Sequence, residues 1–250
     1  LAPKLTSFAT PRGGRSFLGS GPAETHLTMT HPTQALHIPD TQSERDERHL
    51  AIQRVGVKDV RYPLRLRVAG AEQQTAAQWN LDVALPAEKK GTHMSRFVAW
   101  LDALDAPLDA ALLRDKLGAM LTLLGASEGR IESRFSFFLR KRAPVSGVSS
   151  LMDYQGRWIA EARGGKTTVW TEVAVPVKSL CPCSKEISDY GAHNQRSTVT
   201  IRVETHAPLA WEELVRFAEV NASSEIWALL KRSDEKWITE RAYENPKFVE

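Results

Sequence analysis

The only two cysteines of the 250-residue chain, Cys181 and Cys183, lie one residue apart in the stretch LCPCSKEISDYGAHNQRS, which also contains His193. Thiolate and imidazole are ligands that Zn²⁺ takes readily in tetrahedral sites. The C-x-C spacing is not that of a zinc finger, and the chain has no further cysteine to complete a closed site. A metal held here would keep a position open for water, as metal catalysis requires.

Other roles for these residues remain open. Cys181 and Cys183 are also typical of small buried hydrophobes, with His193 as a hydrogen-bonded loop residue. Alternatively, a cysteine whose pKa is lowered by His193 or Lys185 would act as a nucleophile. A third partner would be a carboxylate from the polar segment KRSDEKWITERAYENPKFVE, where each acid taken singly is typical of a solvated surface: Asp234, Glu235, Glu240, Glu244 and Glu250.

A basic cluster occupies the stretch EKKGTHMSRF, just before a predicted helix. Its cations can bind phosphate groups at the helix N-terminus. The simpler interpretation is that Ser95 or Thr92 caps the helix and Gly91 turns the chain. The cations of the cluster are Lys89, Lys90, His93 and Arg96.

Composition narrows the class of protein. The net charge of +3 arises from nearly balanced acids and bases, so charge does not indicate a nucleic-acid partner. No apolar run approaches the roughly 18 residues of a membrane span, and C-x-C does not form a disulfide framework. We therefore expect a cytoplasmic globular protein. Residues 1–50 are expected to be disordered or extraneous, with Met29 as a true start.

Hydrophobic periodicity predicts a ββααββ order in the first half. Apolar residues alternate in two stretches that form a hairpin, recur at helical spacing in two more, and alternate again in a final pair. Asp105 is predicted to cap the second helix and Gly125 to end it. The stretches are 60–68, 79–85, 94–101, 108–124, 131–139 and 152–160.

The second half begins in the same way. Strand patterns at 169–177 and 199–203 precede a helix at 211–218, a shorter helical piece at 226–230 and a helix start at Asn245. The fold class is therefore α+β. We expect one unit over 51–164 and a second over 165–250, the latter lacking its last helix and strand pair.

Four stretches carry a family resemblance: LPAEKKGTHMSRF, APVSGVSSLMDY, SLCPCSKEISDYGAHNQRS and DEKWITERAYENPKFVE. From about Gln53 to its last residue, the chain resembles the class IB, prokaryotic-type GTP cyclohydrolases. The resemblance implies tandem tunnelling-fold (ββααββ) units, with antiparallel sheets and helices on one face, assembling into a barrel. It also implies a homotetramer with sites between protomers.

The resemblance further implies hydrolysis of GTP to 7,8-dihydroneopterin triphosphate and formate, the first step of tetrahydrofolate biosynthesis. A divalent metal (Zn, Mn or Fe) activates the water in that family. By motif position, its ligands would be Cys181, His193 and Glu235. A mixed thiolate, imidazole and carboxylate set suits such metals better than an all-sulfur site.

The same resemblance assigns residues to catalysis and substrate. Cys183 would join Cys181 and His193 as a catalytic residue. Glu250 would anchor the guanine, since a carboxylate accepts from two adjacent donors. Phosphate-binding roles would fall to Lys90, His93 and Arg96.

The chain also departs from the family pattern. Ser233 replaces a proline usual before the DEK triplet, and family members continue beyond the anchor glutamate through a helix and two strands. An inactive truncated protomer is therefore one alternative. Another is a tunnelling-fold nitrile reductase with a nucleophilic cysteine and NADPH.

Overall fold

A single antiparallel sheet organises the computed structural model, which describes residues 40, 42 and 44–248. Its strands are paired in chain order from β1 to β6, and the short β7 pairs with β5. The predicted α+β class is confirmed. The strands are β1 (Ile52–Val68), β2 (Ala71–Leu85), β3 (Gly129–Arg142), β4 (Ser149–Arg163), β5 (Lys166–Leu180), β6 (Asn194–Glu204) and β7 (Ser224–Glu225).

Five helices are present within the described residues. Three of them supply buried side chains to the hydrophobic core formed with the sheet: α1 (Met94–Asp102), α2 (Ala110–Leu124) and α4 (Trp211–Asn221). The other two flank the candidate site: α3 (Pro182–Ile187) and α5 (Arg232–Glu244). None of the helices in the described ranges combines the length and hydropathy that a bilayer span requires.

Alternation of apolar and polar residues builds the core. Along β2, for example, Trp79, Leu81 and Val83 are buried while the residues between them are not. Trp211, the first residue of α4, lies among the aromatic rings of the sheet. Its ring centroid is 5.0 to 5.5 Å from those of Phe137, Trp158 and Phe135, so α4 is anchored on the same core as the sheet.

Helix α2 is capped at both ends. The side chain of Asp109 accepts a 2.8 Å hydrogen bond from the backbone N–H of Leu112, and Gly125 ends the helix with φ of 60°, in the left-handed region. The prediction for Gly125 is confirmed. The predicted cap at Asp105 is wrong, because the helix begins only after Asp109.

Helix α1 begins without a side-chain cap. His93 occupies the N-cap position, and its side chain accepts no hydrogen bond from the first turn. The predicted caps by Thr92 or Ser95 are therefore wrong. Thr92 is buried and lies one residue before the N-cap position, and Ser95 lies inside the helix.

The chain after α4 differs most from expectation. The helical piece predicted at 226–230 is wrong: this segment follows β7 without regular structure, and α5 begins at Arg232. The helix start predicted at Asn245 is also wrong, since Asn245 ends α5. Only Ile238 and Ala242 among the apolar residues of α5 are buried, so its hydrophobic periodicity is weak.

The two halves of the chain contribute to one continuous sheet. Gly164 and Gly165, both with positive φ, form the turn between β4 and β5, and the boundary predicted between residues 164 and 165 falls in this turn. Within the described residues, β1 and β6 pair on one side only. Each therefore presents a row of unpaired backbone groups.

Candidate functional site

Strand pairing brings Cys181 and His193 together. Leu180 at the end of β5 is paired with Asn194 at the start of β6. One step further, the backbone N–H of Cys181 donates to the carbonyl of His193 at 2.9 Å. The two residues therefore bracket the connecting segment, called here the Cys–His loop (181–193). The antiparallel register presents them side by side.

Ser184 hydrogen-bonds to both ends of this loop, a role that the sequence analysis did not predict. Its hydroxyl donates to the Cys181 carbonyl at 3.1 Å and accepts from the His193 backbone N–H at 2.8 Å. The backbone N–H of Lys185 also reaches the Cys181 carbonyl, at 3.2 Å. These bonds form the short helix α3, with Cys181 at its N-cap. The sequence signal that could have identified this role is a serine three residues after the N-cap residue Cys181.

The loop favours the thiolate form of Cys181. Hydrogen bonds from the backbone and side chain of Ser184, supported by Cys183, outweigh burial and lower the pKa of the Cys181 thiol. The thiolate is the form that binds metals. Cys181 is half-buried and Cys183 exposed, and both are free thiols. The alternative in which both cysteines are buried hydrophobes is therefore wrong.

Lys185 joins the loop to α5. Its ammonium group donates to the carbonyl of Tyr243 at 2.5 Å and lies 4.2 Å from the centroid of the Tyr243 ring. Its charge is thus engaged with α5. This contact positions the loop against the helix, a role the sequence alone did not predict.

Glu235 lies in the first turn of α5. Its exposed carboxylate is 2.8 Å from the guanidinium of Arg232. Helical spacing places it on the same side as Thr239 and Tyr243, which line the cleft beside the Cys–His loop. Over residues 40, 42 and 44–248, no three Cys, His, Asp or Glu side chains are gathered into a ready metal site. The structure therefore assembles Cys181 and His193 but not Glu235 with them.

A cleft of about 560 Å³ separates the Cys–His loop from α5. Tyr190 and Asn194 line its loop side, and Thr239 and Glu240 its helix side. Beyond α5, the backbone N–H of Lys247 donates to the Leu180 carbonyl at 3.3 Å, so the chain returns to the end of β5. Glu250, the predicted guanine anchor, lies outside the described residues.

The three predicted phosphate-binding side chains lie at the start of α1, and each has a partner in the chain. None of their hydrogen bonds or ion pairs within the described ranges reaches the Cys–His loop. The hydrogen bond to Glu44 also raises the pKa of Lys90. The contacts are Lys90 Nζ to Glu44 Oε2 at 2.8 Å, His93 Nε2 to Asp40 Oδ2 at 3.2 Å, and Arg96 Nη1 to Leu123 O at 3.0 Å.

Comparison with known proteins identifies the family of the chain. Residues 38–250 match the model of the type I GTP cyclohydrolase FolE2 family. The chain belongs to this family. The match begins before β1 and so includes the acidic residues that contact the α1 cluster, Asp40 and Glu44. The predicted resemblance to class IB GTP cyclohydrolases is confirmed.

Individual FolE2 relatives agree over most of their length. The GTP cyclohydrolase FolE2 of Methylibium petroleiphilum is 66% identical, over 90% of this chain and 86% of the relative. That of Paraburkholderia xenovorans is 58% identical, over 89% of this chain and 83% of the relative. That of Burkholderia pseudomallei is 58% identical, over 85% of this chain and 80% of the relative.

One FolE2 stretch of the chain, APVSGVSSLMDY, meets α5 through a buried carboxylate. Asp234 is fully buried and accepts from the backbone N–H groups of Val145 and Ser146 at 2.9 and 2.8 Å. It also accepts from the Ser146 hydroxyl at 2.6 Å and from the Lys231 N–H at 2.8 Å. Burial raises the pKa of Asp234, but these bonds outweigh it and hold that pKa well below its usual range. Asp234 thus fixes the turn that carries Glu235.

Proposed function

We propose that this chain hydrolyses GTP at C8 of the guanine and yields 7,8-dihydroneopterin triphosphate and formate, as the first step of tetrahydrofolate biosynthesis. Membership of the family makes the chain a type I GTP cyclohydrolase. The observation that carries the proposal is the pairing of Cys181 with His193 beside a cleft. That pairing joins two residues with metal-binding side chains at the ends of a loop whose residues 189–192 line the cleft.

Family membership supports metal dependence, and the donor types fit a divalent ion. The proposed ligands are Cys181, His193 and Glu235, and the proposed metal is Zn, Mn or Fe. The lowered pKa of Cys181 and the exposure of His193 suit them to bind an ion from solvent. When bound, the metal supplies Lewis-acid activation of a water molecule. Glu235 is available on the cleft side of α5, where an exposed Arg232 pairs with it.

The protein's own residues hold and contact the purine. Cys183, which is exposed and two residues beyond Cys181, is proposed as a catalytic residue in contact with the reacting ring. Glu250 is proposed as the guanine anchor. The backbone bond from Lys247 to Leu180 returns the chain after α5 to the end of β5, next to the Cys–His loop.

Assembly and location complete the proposal. We infer a cytoplasmic homotetramer whose sites lie between protomers, in which the sheets form a closed barrel. The single-sided pairing of β1 and β6 supports it, because unpaired strand edges template pairing with another chain. The proposed phosphate contacts of Lys90, His93 and Arg96 would then reach a neighbouring protomer's substrate.

Neopterin fluorescence tests the function. The full chain, reconstituted separately with Zn²⁺, Mn²⁺ or Fe²⁺, is incubated with GTP, and the product is oxidised and dephosphorylated before detection. Fluorescent product that disappears with a chelator and returns with added metal is expected. A folded, metal-loaded chain that makes no product would overturn the proposal and favour the inactive protomer. Activity that requires NADPH and survives chelation would favour the nitrile reductase.

A further inference from the structure

A second cleft, of about 340 Å³, adjoins the first. Asn194 lines both clefts, and neighbouring residues of α5 line one each, Ile238 this cleft and Thr239 the other. The two spaces are therefore successive compartments along α5. Lys178 of β5 and Arg196 of β6 also line the second cleft.

These two cations are directly opposite each other in the β5–β6 register. Like charges in that position destabilise an antiparallel pair. The same two strands carry a complementary pair further along, where Glu172 is opposite Arg202 and their side chains lie 2.6 Å apart. The register therefore opposes an acid to a base at Glu172 and Arg202, which neutralises their charges, but opposes two bases at Lys178 and Arg196.

The chain leaves the charge of this cleft unbalanced. Across residues 40, 42 and 44–248, neither Lys178 nor Arg196 makes a side-chain ion pair or hydrogen bond. Glu225 also lines the cleft, but its carboxylate is 3.2 Å from the guanidinium of Arg241. Two unpaired cations in a concave site are suited to an anion, with arginine able to bind a phosphate through two parallel hydrogen bonds.

The distance to the candidate metal ligands matches an extended nucleotide. Lys178 is three residues before Cys181, and Arg196 is three residues after His193. At the rise of a β-strand, three residues span about 10 Å. A purine whose C8 lies at the Cys–His loop would project its ribose and phosphates over such a length.

We propose that Lys178 and Arg196 form the triphosphate subsite within this chain's own nucleotide site. The inference rests on the proposed function and adds the recognition of the polyphosphate. The opposite wall is fixed, because the indole N–H of Trp227 donates to the Arg142 carbonyl at 2.9 Å. No intrachain ion pair must be broken here, whereas phosphate binding at the α1 cluster would displace the partners of Lys90 and His93.

Binding of inorganic tripolyphosphate, GTP and guanosine to the full chain tests this subsite. We compare the wild type with Lys178→Gln, Arg196→Gln and the double variant by calorimetry at low salt. The control is Lys166→Gln, an exposed lysine at the other end of β5. Each cleft substitution should weaken tripolyphosphate and GTP binding about tenfold or more, with guanosine affinity and metal content unchanged. The control should match the wild type.

Stability distinguishes the subsite from a structural role. In the subsite the two cations repel each other, so removing either charge should leave Tm unchanged or raise it. Arg196→Lys should also restore part of the affinity lost in Arg196→Gln. Unchanged tripolyphosphate and GTP affinity in the double variant would overturn the subsite. So would an affinity that falls with Lys90→Gln but not with the double variant. These readouts do not depend on turnover: a wild type that makes no neopterin refutes the proposed function and leaves this binding result standing.

Discussion

The backbone N–H of Cys181 donates to the carbonyl of His193 across 2.9 Å. This bond extends the β5–β6 ladder by one step beyond Leu180 and Asn194. The separation of the two candidate ligands is therefore set by strand pairing rather than by the course of the eleven intervening loop residues. We expect the thiol and the imidazole to be presented together before any metal binds.

The two cysteines should have separable roles. Cys181→Ala should remove bound metal as well as activity, because the thiolate is a proposed ligand. Cys183→Ala is the matched control: it should keep its metal and lose activity, because Cys183 is proposed to contact the substrate. Metal content by mass spectrometry and neopterin formation measure both. Stoichiometric metal in Cys181→Ala would contradict the ligand assignment.

Ser184 should control the acidity of Cys181. Its hydrogen bonds lower the pKa of that thiol, so Ser184→Ala should raise the pKa and slow alkylation of the metal-free protein a few-fold at neutral pH. The measurement is the alkylation rate against pH in a Cys183→Ser background. Ser188→Ala, in the same loop, serves as the control. Identical pH profiles for Ser184→Ala and its parent would refute the role.

Glu235 should affect metal binding without affecting stability. Its side chain is exposed and pairs with Arg232 at the surface, so Glu235→Gln should leave Tm within a degree or so. Loss of a ligand should weaken metal affinity at least tenfold. Glu213→Gln, on the exposed side of α4, is the control. A variant that titrates with metal as tightly as the wild type would remove Glu235 from the ligand set.

Asp234 should stabilise the fold in a pH-dependent way. Its folded pKa is depressed, so its contribution is present above the unfolded pKa of about 3.9 and is lost as the pH falls below it. Asp234→Asn should lower Tm by several degrees at neutral pH, because the amide brings donors against the N–H groups of Val145 and Ser146. Thermal melts from pH 7 downward should show the gap from the wild type narrowing in acid. A constant gap would contradict this.

Local pattern predicted most strands but not α5. Alternation identified the β1–β2 and β3–β4 hairpins, because each strand buries one face against helices. Helix α5 was not predicted, because few of its positions are buried and its start depends on Asp234. That carboxylate finds Ser146 across 88 positions of sequence, and no local pattern reports a contact of that separation.

The candidate site shows the same limit. The spacing of Cys181 and His193 pointed to the loop, and antiparallel pairing places their backbones next to each other. The partners of the α1 cluster came instead from Asp40 and Glu44, on a segment that composition alone had marked as disordered or extraneous. The opposed cations Lys178 and Arg196 became visible only from the strand register.

Formate release is the most direct test of the central claim, that a metal held at Cys181 and His193 supports hydrolysis at C8. The measurement uses GTP labelled at C8, the full chain loaded with metal, and Cys181→Ala treated identically. The account predicts labelled formate in step with neopterin from the wild type, and none from Cys181→Ala or after chelation. A folded, metal-loaded wild type that releases no formate, or a Cys181→Ala variant that releases it at the wild-type rate, would contradict the account.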